Sequence, residues 1–178
     1  MKKIVFVLLL NLASTMIYSQ FITEKNITDL TKIDSEFEYN PELLQQIPGT
    51  SIKIQAPEHF LFSENIPGFI HPGTSSTIQI QEIIGTSWVM IRQAMTPEHF
   101  ESQGTHLVSQ TEITMQDGKS GILYLVEFQA NGYDYERLML FAGDYHNTIW
   151  INANYPKSTK SVIRDILIES ILTAQFVK

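Results

Sequence analysis

Asp117-Gly118-Lys119-Ser120-Gly121-Ile122-Leu123-Tyr124-Leu125-Val126-Glu127-Phe128-Gln129-Ala130-Asn131-Gly132 is the stretch on which the fold turns. Its two ends, Asp117-Gly118 and Asn131-Gly132, suit a two-residue type I′ hairpin, whose central residues sit at positive φ, where Asn, Asp and Gly are least strained. Between them Ile122, Tyr124, Val126 and Phe128 alternate with Leu123, Leu125 and Glu127, the period-two pattern of a strand. After the second turn Tyr133, Tyr135, Arg137, Met139 and Phe141 share one face, and Asp134, Glu136, Leu138 and Leu140 share the other. A third turn over 143–147 leads into 148–155, where Ile149, Ile151 and Ala153 oppose Trp150, Asn152 and Asn154. Residues 105–155 therefore read as three or four long antiparallel strands.

Both faces of this meander become apolar toward its middle, at Leu123 and Leu125 and again at Leu138 and Leu140. A sheet with one wet face keeps a cleaner alternation. The pattern predicts an α+β fold: an α/β/α sandwich with a central antiparallel sheet flanked by helices. Glu127, Asp134 and Glu136 predict that the cover is incomplete at one end.

Working outward, residues 76–84 alternate strictly, with Ile78, Ile80 and Ile84 on the side of Glu82 and Thr77, Gln79, Gln81 and Ile83 on the other. Residues 50–55 read as the first strand of the domain, and 64–75, with two prolines and two glycines, as a loop. Ser87 is placed to cap a helix carrying Trp88, Ile91 and Met95. Thr96-Pro97-Glu98 starts another, with Gly104 as its stop. The last helix follows Pro156 with Ser158 as the expected cap. Its buried face is Val162, Ile163, Ile166, Leu167, Ser170, Ile171 and Ala174.

Met1-Lys2-Lys3, the apolar run 4–10 and Ser19 have the layout of a secretory signal peptide over 1–19. The apolar run is far shorter than the roughly 18–20 residues of a membrane-spanning helix, so no integral span is expected after processing. Residues 20–46 are polar and weakly periodic and read as a tether, apart from a short helix start at Asn40-Pro41-Glu42. The domain proper is expected over 47–178. With no cysteine, disulfides, thiolate metal sites and a lipidated N-terminal Cys are excluded. A formal net charge of −7, more negative once Lys2 and Lys3 are removed, argues against nucleic acid and anionic membranes as partners.

Gly49-Thr50-Ser51-Ile52-Lys53-Ile54 followed by Pro57 and Phe60 resembles the Gly-x-Ser-hydrophobic opening of the PsbP/Mog1-like superfamily, which includes LpqN-type exported bacterial proteins. The resemblance continues through the isoleucine strand at 76–82, the helix ending at Gln103-Gly104, the turns at Asp117-Gly118 and Asn131-Gly132, and the closing amphipathic helix. It covers about residues 47–176 and rests on structural positions. It implies an α/β/α sandwich and a non-catalytic accessory or binding role, and it carries no site residues across.

For chemistry the sequence offers little. The five histidines have no metal-ligand spacing. Pro-Glu-His-Phe occurs twice, at 57–60 and 97–100, and a Glu/His metal site from both copies competes with the plainer reading of Phe60 and Phe100 as core anchors. Gly118-Lys119-Ser120-Gly121 has the wrong glycine spacing for a phosphate loop. Tyr133, Tyr135 and Arg137 share a strand face and form a candidate binding surface; the alternative is cross-strand packing on Phe128 and Val126. Phe69 and His71, in the expected 64–75 loop, are the other candidates for partner contact. Trp88 and Trp150 are either core or groove-lining. No catalytic residue, metal or cofactor is expected.

These features predict an exported, non-catalytic accessory or protein-binding module, periplasmic or secreted, with a protein partner. A small-ligand carrier, with a groove between sheet and helix lined by Trp88, Trp150 or the tyrosines, is the alternative. A hydrolase or metalloenzyme built on scattered Asp, Glu and His has the least support.

Overall fold

A computed structural model of the chain describes residues 36–177. The expected signal peptide over 1–19, and the part of the expected tether over 20–35, lie outside the described residues. In chain order the strands are β1 (Gln45–Gln46), β2 (Ile52–Ile54), β3 (Leu61–Ser63), β4 (Gly68–His71), β5 (Ser76–Ile84), β6 (His106–Thr114), β7 (Ser120–Ala130), β8 (Tyr133–Gly143), β9 (Asn147–Pro156) and β10 (Gln175–Phe176). The helices are α1 (Trp88–Ala94), α2 (Pro97–Ser102) and α3 (Lys160–Leu172).

The main sheet has seven antiparallel strands in the order β3-β4-β5-β9-β8-β7-β6. Four of its five inner strands, β5, β9, β8 and β7, follow the alternation in the sequence. On one face Ile78, Ile80, Leu125, Leu138, Leu140, Ile149, Ile151 and Ala153 build a core with Ile163, Leu167 and Ile171 of α3. Burial of each such aliphatic side chain contributes on the order of 1.5–3 kcal/mol. On the other face a smaller core joins Ile122, Tyr124, Val126, Met139 and Phe141 to Phe100, with Trp88, Ile91 and Met95 packed against it from α1 and α2. The sheet is thus covered on both sides, as the two-faced apolar pattern requires.

Helix starts are encoded locally. The Ser87 and Thr96 side chains accept hydrogen bonds from the backbone N–H groups of Met90 and His99, satisfying donors that a helix N-terminus leaves open. At the final helix the sequence expectation needs two corrections. A 3₁₀ turn over Lys157–Thr159 intervenes, so the cap position is Thr159, not Ser158. Val162 is exposed rather than buried.

The turns differ as well. Asn131 (φ 51°) and Gly132 (φ 81°) make the expected positive-φ pair between β7 and β8. At Asp117-Gly118 only Gly118 is at positive φ. Its N–H bonds to the Met115 carbonyl, and the Met115 N–H bonds to Lys119, a longer connection than a two-residue turn.

Residues 50–55 do not join the main sheet. β2 pairs with β1 and β10 in a separate three-stranded sheet, tied to α3 where Gln55 N–H bonds to Thr173 Oγ1 and Ser170 Oγ to the Gln55 carbonyl. The Gln55 side chain reaches back to Glu38 and Asn40, so residues 36–46 run along the domain.

The 64–75 segment is not the loop its prolines imply. Pro67 and Pro72 flank β4 without entering it, and Gly68 takes a φ of 151° with its Cα against the Ile78 backbone. In consequence Phe69 and His71 are buried, not available to a partner. Phe69 belongs to the α3-side core, while His71 packs on Phe60 and bonds through Nδ1 to Thr74.

Glu136 is likewise buried rather than solvated. Its carboxylate accepts hydrogen bonds from Tyr155 Oη at 2.6 Å and Lys160 Nζ at 2.9 Å, with Arg164 at 3.7 Å. Burial alone would raise its pKa, but the Tyr155 and Lys160 hydrogen bonds and the Arg164 charge outweigh that and hold it below the usual value. The cluster pins the start of α3 to β8.

Two outcomes are expected. Gly68→Ala places a Cβ onto the Ile78 carbonyl oxygen and lowers unfolding free energy in urea by roughly 2–4 kcal/mol. Because the folded-state pKa of Glu136 is depressed, its contribution is present above the unfolded value, about 4.3, and is lost as pH falls through the folded one. Glu136→Gln should therefore cost about 1–3 kcal/mol at neutral pH, and the wild-type and variant stabilities should converge in acid.

Candidate functional site

The register of the inner strands sets out three rungs on the face away from α3. They are Thr77–Asn154–Arg137–Val126, Gln79–Asn152–Met139–Tyr124 and Gln81–Trp150–Phe141–Ile122. Each rung is polar toward β5 and mostly apolar toward β7. The apolar half lies under α1 and α2, which are only 7 and 6 residues long. Helices this short, at 1.5 Å rise per residue, cannot also cover the polar half. A cleft of about 540 Å³ results between α2 and the sheet.

Its lining comes from several elements: His99 and Phe100 from α2, Gln103 just after it, Phe128 and Gln129 from β7, Arg137 and Met139 from β8, Trp150 and Asn152 from β9, and Gln79 from β5. Arg137 is the charged centre. Its Nε donates to Asn154 Oδ1 at 2.6 Å, and Asn154 Nδ2 donates in turn to Thr77 Oγ1 at 3.1 Å. The guanidinium lies 4.8 Å from the Phe128 ring centroid, and Phe128 stacks on Tyr135 at 5.4 Å. Burial holds the Arg137 pKa below the usual arginine value. Among the described residues its cation has no carboxylate partner; the acids nearby, Glu127 and Glu136, are engaged with Lys157, Lys160 and Arg164.

Two further lining residues carry buried polar atoms without a hydrogen-bond partner, Trp150 Nε1 and Asn152 Oδ1. A third such atom, Tyr124 Oη, sits in the adjoining core, where burial raises its pKa. Unpartnered buried polar groups cost roughly 1–3 kcal/mol each, so their grouping at one cleft marks it out. A neighbouring hollow of about 450 Å³ shares Phe128 and Gln129, but its charges are spent on one another, as Lys157–Glu127 and His106–Glu101. A hollow of about 680 Å³ lined by Glu36, Glu38, Glu58 and His59 has no unpartnered buried polar atom.

Of the five residues singled out from the sequence, Arg137 lines the cleft and Tyr135 backs its Phe128 wall. Tyr133 stands exposed at the hairpin, and Phe69 and His71 are buried in β4. Trp150 is groove-lining, whereas Trp88 packs on the smaller core. The two Pro-Glu-His-Phe copies do not converge: His99 lines the cleft and His59 the distant hollow. Among the described residues no group of three His, Asp or Glu side chains could hold a metal ion. The sequence reading passed over Gln79, Asn152 and Asn154. Their signal was present in the polar face that two consecutive-pairing strands turn away from their isoleucines.

No protein-family model matches the sequence, and no curated protein matches it. Solved structures do. The chain shares its fold with LpqN and with cyanobacterial PsbP. LpqN of Mycobacterium tuberculosis, described as involved in cell envelope biogenesis, superposes with a TM-score of 0.55 at 13% identity, over 71% of this chain and 83% of LpqN. Cyanobacterial PsbP from Synechocystis gives 0.52 at 11% identity, over 80% of this chain and 98% of PsbP. A Bacteroides thetaiotaomicron protein gives 0.50 at 19% identity, over 73% of this chain and 47% of its own length. At these identities the likeness is one of fold. Among the described residues no helix is long and apolar enough to cross a membrane.

The polar floor of the cleft has an energetic signature. Asn152→Leu removes an unpartnered buried oxygen and should raise unfolding free energy by about 0.5–1.5 kcal/mol, read from urea or thermal denaturation. If the side chain is instead held by the native fold, the variant will be less stable than the wild type.

Proposed function

We propose that this protein is an exported, non-catalytic binding module of the cell envelope that holds a small ligand in the cleft beneath α2. The observation that carries this is the coincidence, in one concave site, of an arginine without a carboxylate partner and two unpartnered buried polar atoms. Ligand sites are typically clefts of roughly 300–1,000 Å³, mainly apolar with a few placed polar groups. Phe100, Met139 and Phe128 supply the apolar walls; Arg137, Asn152 and Gln79 supply the polar groups.

A carrier role is favoured over docking of a protein on the strand surface, because Arg137 lines the cleft while Tyr133, on the same strand face, stands exposed at the hairpin outside it. The likeness to LpqN, together with the leader-like sequence at 1–19, supports an envelope location, periplasmic or secreted. A non-catalytic role fits the lining: Thr105 Oγ1, the hydroxyl there, donates to the Phe100 carbonyl rather than meeting a base.

The test is native mass spectrometry of protein purified from envelope extract without refolding. A non-covalent adduct is expected, and it should be lost in Gln103→Trp, where a large ring at an exposed rim position blocks the cleft. Wild-type protein that flies with no adduct removes the proposal.

A further inference from the structure

The chemistry of the cleft is more specific than its shape. Arg137 brings one of its five N–H donors to Asn154 and lays its face on Phe128. The remaining donors have no partner among the described residues. The side chain is half-buried and these N–H groups are not among the buried unpartnered atoms, so they stay accessible from the cleft as donors to an anion. Every carboxylate that could have served is committed elsewhere: Glu127 to Lys157, Glu136 to Lys160 and Tyr155, Asp134 to the Gln129 amide. Trp150 Nε1 is a second unpartnered donor on the same face, two rungs along from Arg137.

We infer, on the footing of the cleft assigned above, that the ligand is an amphipathic monoanion with its carboxylate on Arg137 and its apolar body against Phe100, Met95 and Met139. The guanidinium is planar and matches a carboxylate through two parallel N–H···O bonds. A dianionic phosphate group is disfavoured because Arg137 is the one permanent cation among the lining residues and the chain as a whole carries −7. Carboxylate binding would also give Arg137 the counter-charge that its surroundings withhold. The apolar body follows from the opposite wall, where Phe100 and Met139 are buried and Met95 is half-buried. Methionines adapt to varied ligand shapes.

The probes are 4-phenylbutyrate and its neutral counterpart 4-phenylbutanol, titrated into ¹⁵N-labelled protein. The indole N–H resonance of Trp150 is the readout, assigned with Trp88→Phe. The acid should shift it saturably, and the alcohol should bind at least about tenfold more weakly, the scale of a charge-assisted hydrogen-bond pair. Arg137→Gln should bring the acid down to the affinity of the alcohol. Asn152→Asp should do the same by setting a like charge beside the carboxylate, with the arginine still present. Both variants are compared only where their amide spectra remain dispersed as in the wild type. If the alcohol binds as tightly as the acid, or Arg137→Gln leaves acid binding unchanged, the anion inference falls while the binding-module reading stands. If neither probe moves the Trp150 resonance, the inference is overturned, and the module reading then rests on the native adduct alone. A co-purifying adduct whose mass identifies a neutral molecule also overturns it.

Discussion

Strand β9 divides the molecule. It is the fourth of seven strands, and its side chains alternate without interruption: Ile149, Ile151, Ala153 and Tyr155 go to one face, Trp150, Asn152 and Asn154 to the other. The pairing with β5 and β8 is in register along its length, so the division propagates across the sheet. A slip of one residue would exchange the two faces completely. The α3-side core and the cleft are therefore two consequences of one pairing register.

The two layers on the sheet are unequal for reasons visible in their helices. α3 has 13 residues and presents Ile163, Ile166, Leu167 and Ile171 to the sheet. The small sheet of β1, β2 and β10 extends that cover. On the other side Ser87 and Thr96 start two helices in quick succession, and the chain leaves α2 through Gly104 at φ 70°. Their combined reach covers Ile122, Tyr124, Val126, Met139 and Phe141 and stops there. The cleft is what the short helices leave open.

Adjacent residues on β8 show how differently one strand can treat two charges. Glu136 faces α3 and is surrounded by Tyr155, Lys160 and Arg164, an arrangement that holds its carboxylate ionised and fixes a helix end. Arg137 faces the cleft and meets an amide and a ring. The first charge is spent on the fold. The second is left with unused donors in a site that a small molecule can enter, which is why the cleft rather than the buried ion cluster is the functional candidate.

Much of this architecture was legible in the sequence because it is local. Alternation at 76–84 and 120–156 gave the strands and their faces, Asn131-Gly132 gave a hairpin, and Ser87, Thr96 and Pro97 marked the helix starts. Arg137 stood out by its aromatic company. Other features depended on contacts remote in the chain. Pro67 and Pro72 read as loop punctuation, but β4 is seated between β3 and β5, which buries Phe69 and His71. Residues 50–55 read as a strand but joined a second sheet, because their partners are Gln45–Gln46 and Gln175–Phe176. Period-two alternation determines which way a side chain points; it says nothing of what lies over it. Whether Asn152, Gln79 and Trp150 would face solvent, a helix or a cleft was decided by strand order and by the length of α1 and α2, and those are settled only when the whole sheet packs.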